Sequence, residues 1–259
     1  MLECCALTQW NRTVTQDLRS DKDIEVGDRL IFAMDVPEPE AARALADQLG
    51  DSVSFYKIGM ELFMAGGYFE LLDWFINRGN KVFVDLKFFD VPATVARAIE
   101  RLAERGATFA TIHGNQSIME AAAAAKGDLK VLAVTALTSL DRGDLDDLGF
   151  DCDVPELVLS RARRALEAGC DGVVSSGLEA RRLREELGQR LMVVTPGIRP
   201  VDNREVGDGG NDQKRVVTPS KAFSDGADYI VVGRPIRDAA DPRSAAQAIQ
   251  TEIAGVFGD

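Results

Sequence analysis

A chain of 259 residues, 46% hydrophobic and 28% charged, has the size of one α/β barrel and the composition of a globular domain. Its net charge of −12 argues against nucleic acid as a bulk partner, and no run of eighteen apolar residues offers a membrane span. Cys4, Cys5, Cys152 and Cys170 show neither metal-ligand spacing nor a disulfide framework, which fits a reducing, cytoplasmic setting.

Residues 1–28 are polar, without clear period and without the basic start and apolar core of a secretory signal. They read as an extension, loosely ordered or packed outside the main fold. From Arg29 a rhythm begins. Arg29 to Asp35 is an apolar strand ending in an acid, and Glu38 to Leu49 is helical. Val53 to Gly59 is a second strand, with Lys57 near its end, followed by a helical stretch to about Arg78.

The third strand, from Lys81, runs into Val84-Asp85-Leu86-Lys87-Phe88-Phe89-Asp90-Val91-Pro92-Ala93-Thr94. Residues i and i+2 of a strand share a face, so Asp85 and Lys87 are expected within reach of each other. Asp90 follows the strand, before a Val-Pro pair suited to a helix start. Such charges are costly to bury unless they pair. They could form a structural ion pair capping the strand, or hold a lysine between two carboxylates as a proton donor.

Ala93 to Glu104 reads as helix, ended by Gly106. Strands follow at Thr108–His113, Leu129–Thr135, Asp171–Ser175, Leu191–Thr195 and Asp228–Val232. Helices are expected at Pro155–Ala168, Leu178–Leu187 and Ala245–Val256. Eight strands alternating with helices in about 230 residues predict a single-domain (β/α)₈ TIM barrel over 29–259. An open doubly wound sheet would want a glycine-rich turn after the first strand, and Asp35-Val36-Pro37 is not one.

Active sites of such barrels lie at the C-terminal strand ends. Here these carry Asp35, Lys57, Asp85 with Lys87, His113, Thr135, Ser175, Pro196 and Gly233-Arg234. After the last strand, Gly233 lets backbone N–H groups approach a ligand, and Arg234 adds a forked donor suited to phosphate. A tight turn with a surface arginine is the plainer alternative. Thr135 to Ser139 places hydroxyls after the fifth strand, suited to a polar ring edge or simply to a turn. Thr195-Pro196-Gly197-Ile198-Arg199 closes the seventh strand, and the glycine-bearing loop from Pro200 to Gln213 has the makings of a lid. His113, the one histidine, suits a packing or orienting role at least as well as a catalytic one.

Taken together and in order, Ala33-Met34-Asp35, Tyr56 to Phe63, Asp85 to Thr94, Leu137-Thr138-Ser139, Thr195 to Arg199, Asp212 to Arg215 and Val232-Gly233-Arg234 resemble the orotidine 5′-phosphate decarboxylase family. The resemblance runs from about Arg29 to the C-terminus. It implies cleavage of CO₂ from orotidine 5′-phosphate to give UMP, with no metal and no organic cofactor, by a homodimer with shared active sites. It implies that Lys87 offers its ammonium to C6 and that Asp85 sits by the departing carboxylate. Lys57 and Asp90 complete an alternating row. Asp35 and Lys57 would hold the ribose, helped by Thr94 and Asp90 of the neighbouring subunit. Thr138 and Gln213 would meet the base, and Gln213, Arg199, Gly233 and Arg234 the phosphate.

The chain departs from the family's bacterial members at Phe89 and Ala93, where His and Asn are usual, and in Gly114-Asn115-Gln116-Ser117 and a longer loop before Asp212. None of these is the implied proton donor or its acidic partners, so activity is expected to survive. Two rivals remain: a Mg²⁺-dependent sugar-phosphate decarboxylase or aldolase of the same superfamily, and a silent barrel that only binds nucleotide. The former typically has Glu where Lys57 stands, and a lysine there would repel the cation.

Overall fold

The structure is a computed structural model, and it describes residues 17–200 and 216–258. Its eight parallel strands close on themselves in sequence order, β1 pairing with both β2 and β8. They are β1 Leu30–Ala33, β2 Phe55–Gly59, β3 Lys81–Phe88, β4 Phe109–His113, β5 Lys130–Val134, β6 Gly172–Val174, β7 Met192–Thr195 and β8 Tyr229–Val232. The helices outside are α1 Pro39–Leu49, α2 Met60–Ala65, α3 Tyr68–Asn77, α4 Pro92–Glu104, α5 Gln116–Ala125 and α6 Arg142–Asp147. They continue with α7 Val154–Glu167, α8 Gly177–Leu187, α9 Pro219–Ser224, α10 Arg234–Arg237 and α11 Pro242–Phe257. The (β/α)₈ barrel expected from the alternating pattern is therefore the fold.

The helices depart from that pattern in detail. The helical stretch expected to run to Arg78 is two helices, because Gly66 and Gly67 both take positive φ (86° and 64°) and break it between α2 and α3. A short helix, α6, also follows β5, closed at its start by a reciprocal capping box between Asp141 and Asp144.

Strand alternation divides the core. Leu30, Phe32, Val82, Val84 and Ala110 face outward and pack under the helices. Ile31, Ala33, Phe55, Phe83, Phe109, Leu132, Val194, Tyr229 and Val231 face inward and fill the barrel. Phe55, Phe83, Phe109 and Tyr229 meet edge-on or tilted at centroid distances of 5.0 to 6.0 Å. Each fully buried ring contributes about 1.5–3 kcal/mol, and together they make an aromatic floor. Two residues further along the same strands, inward parity falls on Asp35, Lys57, Asp85 and Thr111.

The opposite end is closed by a second charge cluster. The Asp228 carboxylate is fully buried and meets Arg184 Nη2 at 2.5 Å, Lys22 Nζ at 3.1 Å, the Val193 N–H at 2.7 Å and the Ser20 hydroxyl. Arg184 also donates to the carbonyls of Gly226 and Leu191. Of the expected 1–28 extension, residues 17–28 lie among those described, and they pack on this face. Leu18 is buried, Arg19 donates to the Val256 carbonyl at 2.8 Å, and Ser20 and Lys22 reach Asp228. Removing one partner of a buried pair strands the other, so Arg184→Met should cost about 3–5 kcal/mol of stability. Since the cluster lies at the strand starts, far from the C-terminal mouth, kcat should change little. Denaturant unfolding beside steady-state kinetics checks both.

Candidate active site

A cleft of about 480 Å³ opens at the C-terminal mouth of the barrel, within the range of small-molecule sites. Of the residues singled out from the sequence, Asp35, Lys57, Asp85, Lys87, Thr138, Arg199, Gly233 and Arg234 line it. The barrel supplies this convergence: the first three stand one inward step above the aromatic floor. Lys57 Nζ lies 3.1 Å from Asp35 Oδ1 and 3.6 Å from Asp85 Oδ2. Lys87 Nζ lies 2.9 Å from Asp85 Oδ1. The row Asp35–Lys57–Asp85–Lys87 is thus continuous.

Asp85 and Lys87 meet, though not by simple alternation along a flat strand. The β3–β4 register runs Phe83↔Phe109, Val84↔Ala110 and then Phe88↔Ile112, so β3 carries a bulge between Val84 and Phe88. Lys87 sits in it at φ 49°, the one non-glycine positive φ among the described residues. Thr111 is the β4 residue opposite the bulge. Its hydroxyl accepts the Lys87 backbone N–H at 2.9 Å and donates to Asp85 Oδ1 at 2.9 Å.

Burial alone would raise the Asp85 pKa, but the Lys57 and Lys87 charges, with hydrogen bonds from Lys87 and Thr111, hold it below the usual carboxylate range. Burial likewise works to lower the Lys57 pKa, and the Asp85 and Asp35 charges outweigh it, leaving it raised. The Asp85 contribution to stability is therefore complete above about pH 4 and lost as pH falls through the depressed folded value. The Lys57 contribution is complete below about pH 10.4 and lost as pH rises through the raised one. Both groups stay charged around neutrality. In Lys57→Met, Asp85 loses its countercharge from β2. The variant should melt below the wild type at pH 7, and the gap should narrow as acid protonates Asp85. A gap independent of pH would mean that Lys57 contributes packing only.

Asp90 and Thr94 are not brought into this cleft. Asp90 is exposed and its Oδ1 accepts the Val91 N–H at 2.6 Å, while Thr94 Oγ1 accepts from Arg97 Nη2 at 3.4 Å. Gln213 and the lid expected over 200–213, apart from Pro200, lie outside the described residues. His113, Thr135 and Ser175 stand at strand ends but do not line the cleft. His113 packs against Phe89 at 4.6 Å between centroids and its Nδ1 meets Asn115 Oδ1 at 2.7 Å. Thr135 Oγ1 bonds the Val174 carbonyl.

Two participants escaped the sequence reading. Arg237 lines the cleft and donates from Nη1 to the Asp35 carbonyl at 2.7 Å; its position three residues after Arg234, one helical turn on, was the available signal. Thr111 lies inside the strand expected at Thr108–His113, where a threonine carries no separate signal. Among the described residues, no group of three or more His, Cys, Asp or Glu side chains is gathered as a metal site, and no helix is long and apolar enough to cross a membrane.

The model of the Orotidine 5′-phosphate decarboxylase / HUMPS family matches residues 28–249. A protein of Methylococcus capsulatus named orotidine 5′-phosphate decarboxylase is 65% identical over 238 residues, 92% of this chain and 97% of that one. One of the same name from Stenotrophomonas maltophilia is 53% identical over 89% of this chain and 94% of its own. The crystal structure of orotidine 5′-phosphate decarboxylase from Lactobacillus acidophilus superimposes with a TM-score of 0.76 at 35% identity, covering 87% of this chain and 99% of that one.

Proposed function

The chain belongs to the Orotidine 5′-phosphate decarboxylase / HUMPS family, and we propose that it converts orotidine 5′-phosphate to UMP and CO₂ without metal or organic cofactor, in pyrimidine biosynthesis. The observation that carries the reading is the Lys57–Asp85–Lys87 row at the foot of a cleft whose rim holds Arg199, Gly233 and Arg234. The C6–carboxylate bond breaks, CO₂ leaves, and the electron pair stays on C6. Lys87 stabilises that carbanion as a fixed positive charge and gives it a proton. The neutral amine then regains a proton from water. Asp85 aims the ammonium through its hydrogen bond and crowds the departing carboxylate.

Asp35 and Lys57 would hold the ribose, Thr138 and Gln213 the base, and Arg199, Gln213, Gly233 and Arg234 the phosphate. The working unit would be a homodimer in which Asp90 and Thr94 serve the neighbour's cleft. Their absence from their own chain's cleft supports this. So do the exposed apolar side chains on the neighbouring segments after β2 and β3, Met60, Phe63, Met64, Phe89 and Val91. A cytoplasmic setting suits a charged nucleotide substrate.

Arg234→Ala should raise KM by about 10- to 100-fold, a charged hydrogen bond being worth roughly 1.5–3 kcal/mol. Orotidine lacking its phosphate should be an equally poor substrate for mutant and wild type. An equal loss on that truncated substrate would remove Arg234 from the phosphate site. The Mg²⁺-dependent sugar-phosphate alternative is tested by one assay. CO₂ release from orotidine 5′-phosphate should persist in excess chelator. Loss of release there, restored by Mg²⁺, would contradict a metal-free reaction, and no release under either condition would favour the sugar-phosphate enzyme or the silent barrel, which turnover of a sugar-phosphate acid with Mg²⁺ then separates.

A further inference from the structure

Thr111 is fully buried on β4 and is not among the residues that line the cleft. It nevertheless ties together the two groups that do the most there. The bulge in β3 breaks the regular ladder opposite it, and Lys87 takes a backbone conformation that an L side chain rarely adopts. A hydroxyl has one proton to give and lone pairs to receive. Thr111 uses both, accepting the Lys87 N–H and donating to Asp85 Oδ1, each at 2.9 Å. The same Asp85 oxygen accepts from Lys87 Nζ, also at 2.9 Å. The four groups form a closed ring: Lys87 N–H, Thr111 hydroxyl, Asp85 carboxylate, Lys87 ammonium.

We propose that Thr111 is a positioning residue for decarboxylation, its hydroxyl holding the Lys87 main chain in the bulge and the Asp85 carboxylate against the Lys87 ammonium. The inference rests on the roles proposed above for Lys87 and Asp85. Strand alternation alone does not place the ammonium, because Lys87 lies outside the regular pleat. A hydrogen bond to its own backbone N–H does, and valine at 111 would leave that N–H and a carboxylate lone pair without this partner.

The test compares Thr111→Val, which keeps shape and removes the hydroxyl, with Thr111→Ser, which keeps the hydroxyl, and uses Lys87→Ala as reference. The Val variant should lose about 10²-fold in kcat, the cost of a small misplacement of a reacting group. Its KM and UMP affinity should stay within about threefold of wild type, since those contacts are made elsewhere. The Ser variant should recover most of kcat. Thr111→Ala takes the place of Val, with the same expected outcome, if the Val protein does not fold. A Val (or Ala) variant with wild-type kcat overturns the inference, as does a Ser variant as impaired as Val, which would assign the effect to the lost methyl. If Lys87→Ala itself turns over normally, the proposed chemistry fails first. If Lys87→Ala is inactive and Thr111→Val is fully active, only the positioning role falls.

Discussion

Lys87→Ala should lower turnover of orotidine 5′-phosphate by about 10⁴-fold or more, while the barrel melts close to the wild-type temperature and still binds UMP. Removing the ammonium deletes two contributions at once: the fixed charge beside the developing carbanion and the proton that quenches it. Each alone is commonly worth about 10²- to 10⁴-fold. The fold should tolerate the change because Asp85 keeps Lys57 on its other side and the Thr111 hydroxyl on Oδ1. Stopped-flow or steady-state CO₂ release, with calorimetric UMP titration on the same preparation, separates chemistry from binding. Near-wild-type turnover in the pure variant would remove Lys87 from the mechanism.

Asp90→Ala is expected to cost about 10²- to 10³-fold in kcat, the range for losing one preorganised charged group at a reacting centre. Within one chain this expectation looks unreasonable. Asp90 is exposed, accepts only its neighbour's N–H in the described contacts, and makes no contact with Lys87. A carboxylate with that local role alone should matter for stability by a fraction of a kcal/mol and for rate hardly at all. The large loss therefore depends on Asp90 reaching the Lys87 of a second copy. Steady-state kinetics of the variant, at protein concentrations where the proposed dimer would be intact, checks it. A loss below about threefold would favour the local role.

Much of this site was legible because barrel strands obey a strict alternation. An apolar run followed by a charge at inward parity, as in Ile31-Phe32-Ala33-Met34-Asp35 and Phe55-Tyr56-Lys57, fixes both the strand and the direction of its last side chain. Arg234 follows from its place after the final strand. The failures have different causes. Nothing local in Asp85-Leu86-Lys87 announces a bulge, because the left-handed Lys87 is held by β4, a segment distant in sequence. Thr111 carries no signal of its own; a threonine inside a strand is what β-propensity expects. The break at Gly66-Gly67 was written in the sequence as a glycine pair, and apolar periodicity across it concealed it. The assignment of Asp90 and Thr94 to a neighbouring subunit's cleft rests on the family resemblance and remains a proposal.

The claim that the charge row is completed across two subunits has a direct measurement. Lys87→Ala and Asp90→Ala proteins, each inactive or nearly so, are mixed, unfolded and refolded, and mass tags confirm that subunits have exchanged. Random pairing makes about half the dimers mixed. In a mixed dimer one site carries both lesions, and the other combines an intact Lys87 with an intact Asp90 from its partner. Activity should return to roughly a quarter of wild type. Activity that stays at the level of the separate variants, with exchange demonstrated, would contradict the shared site and place Asp90 in the service of its own chain.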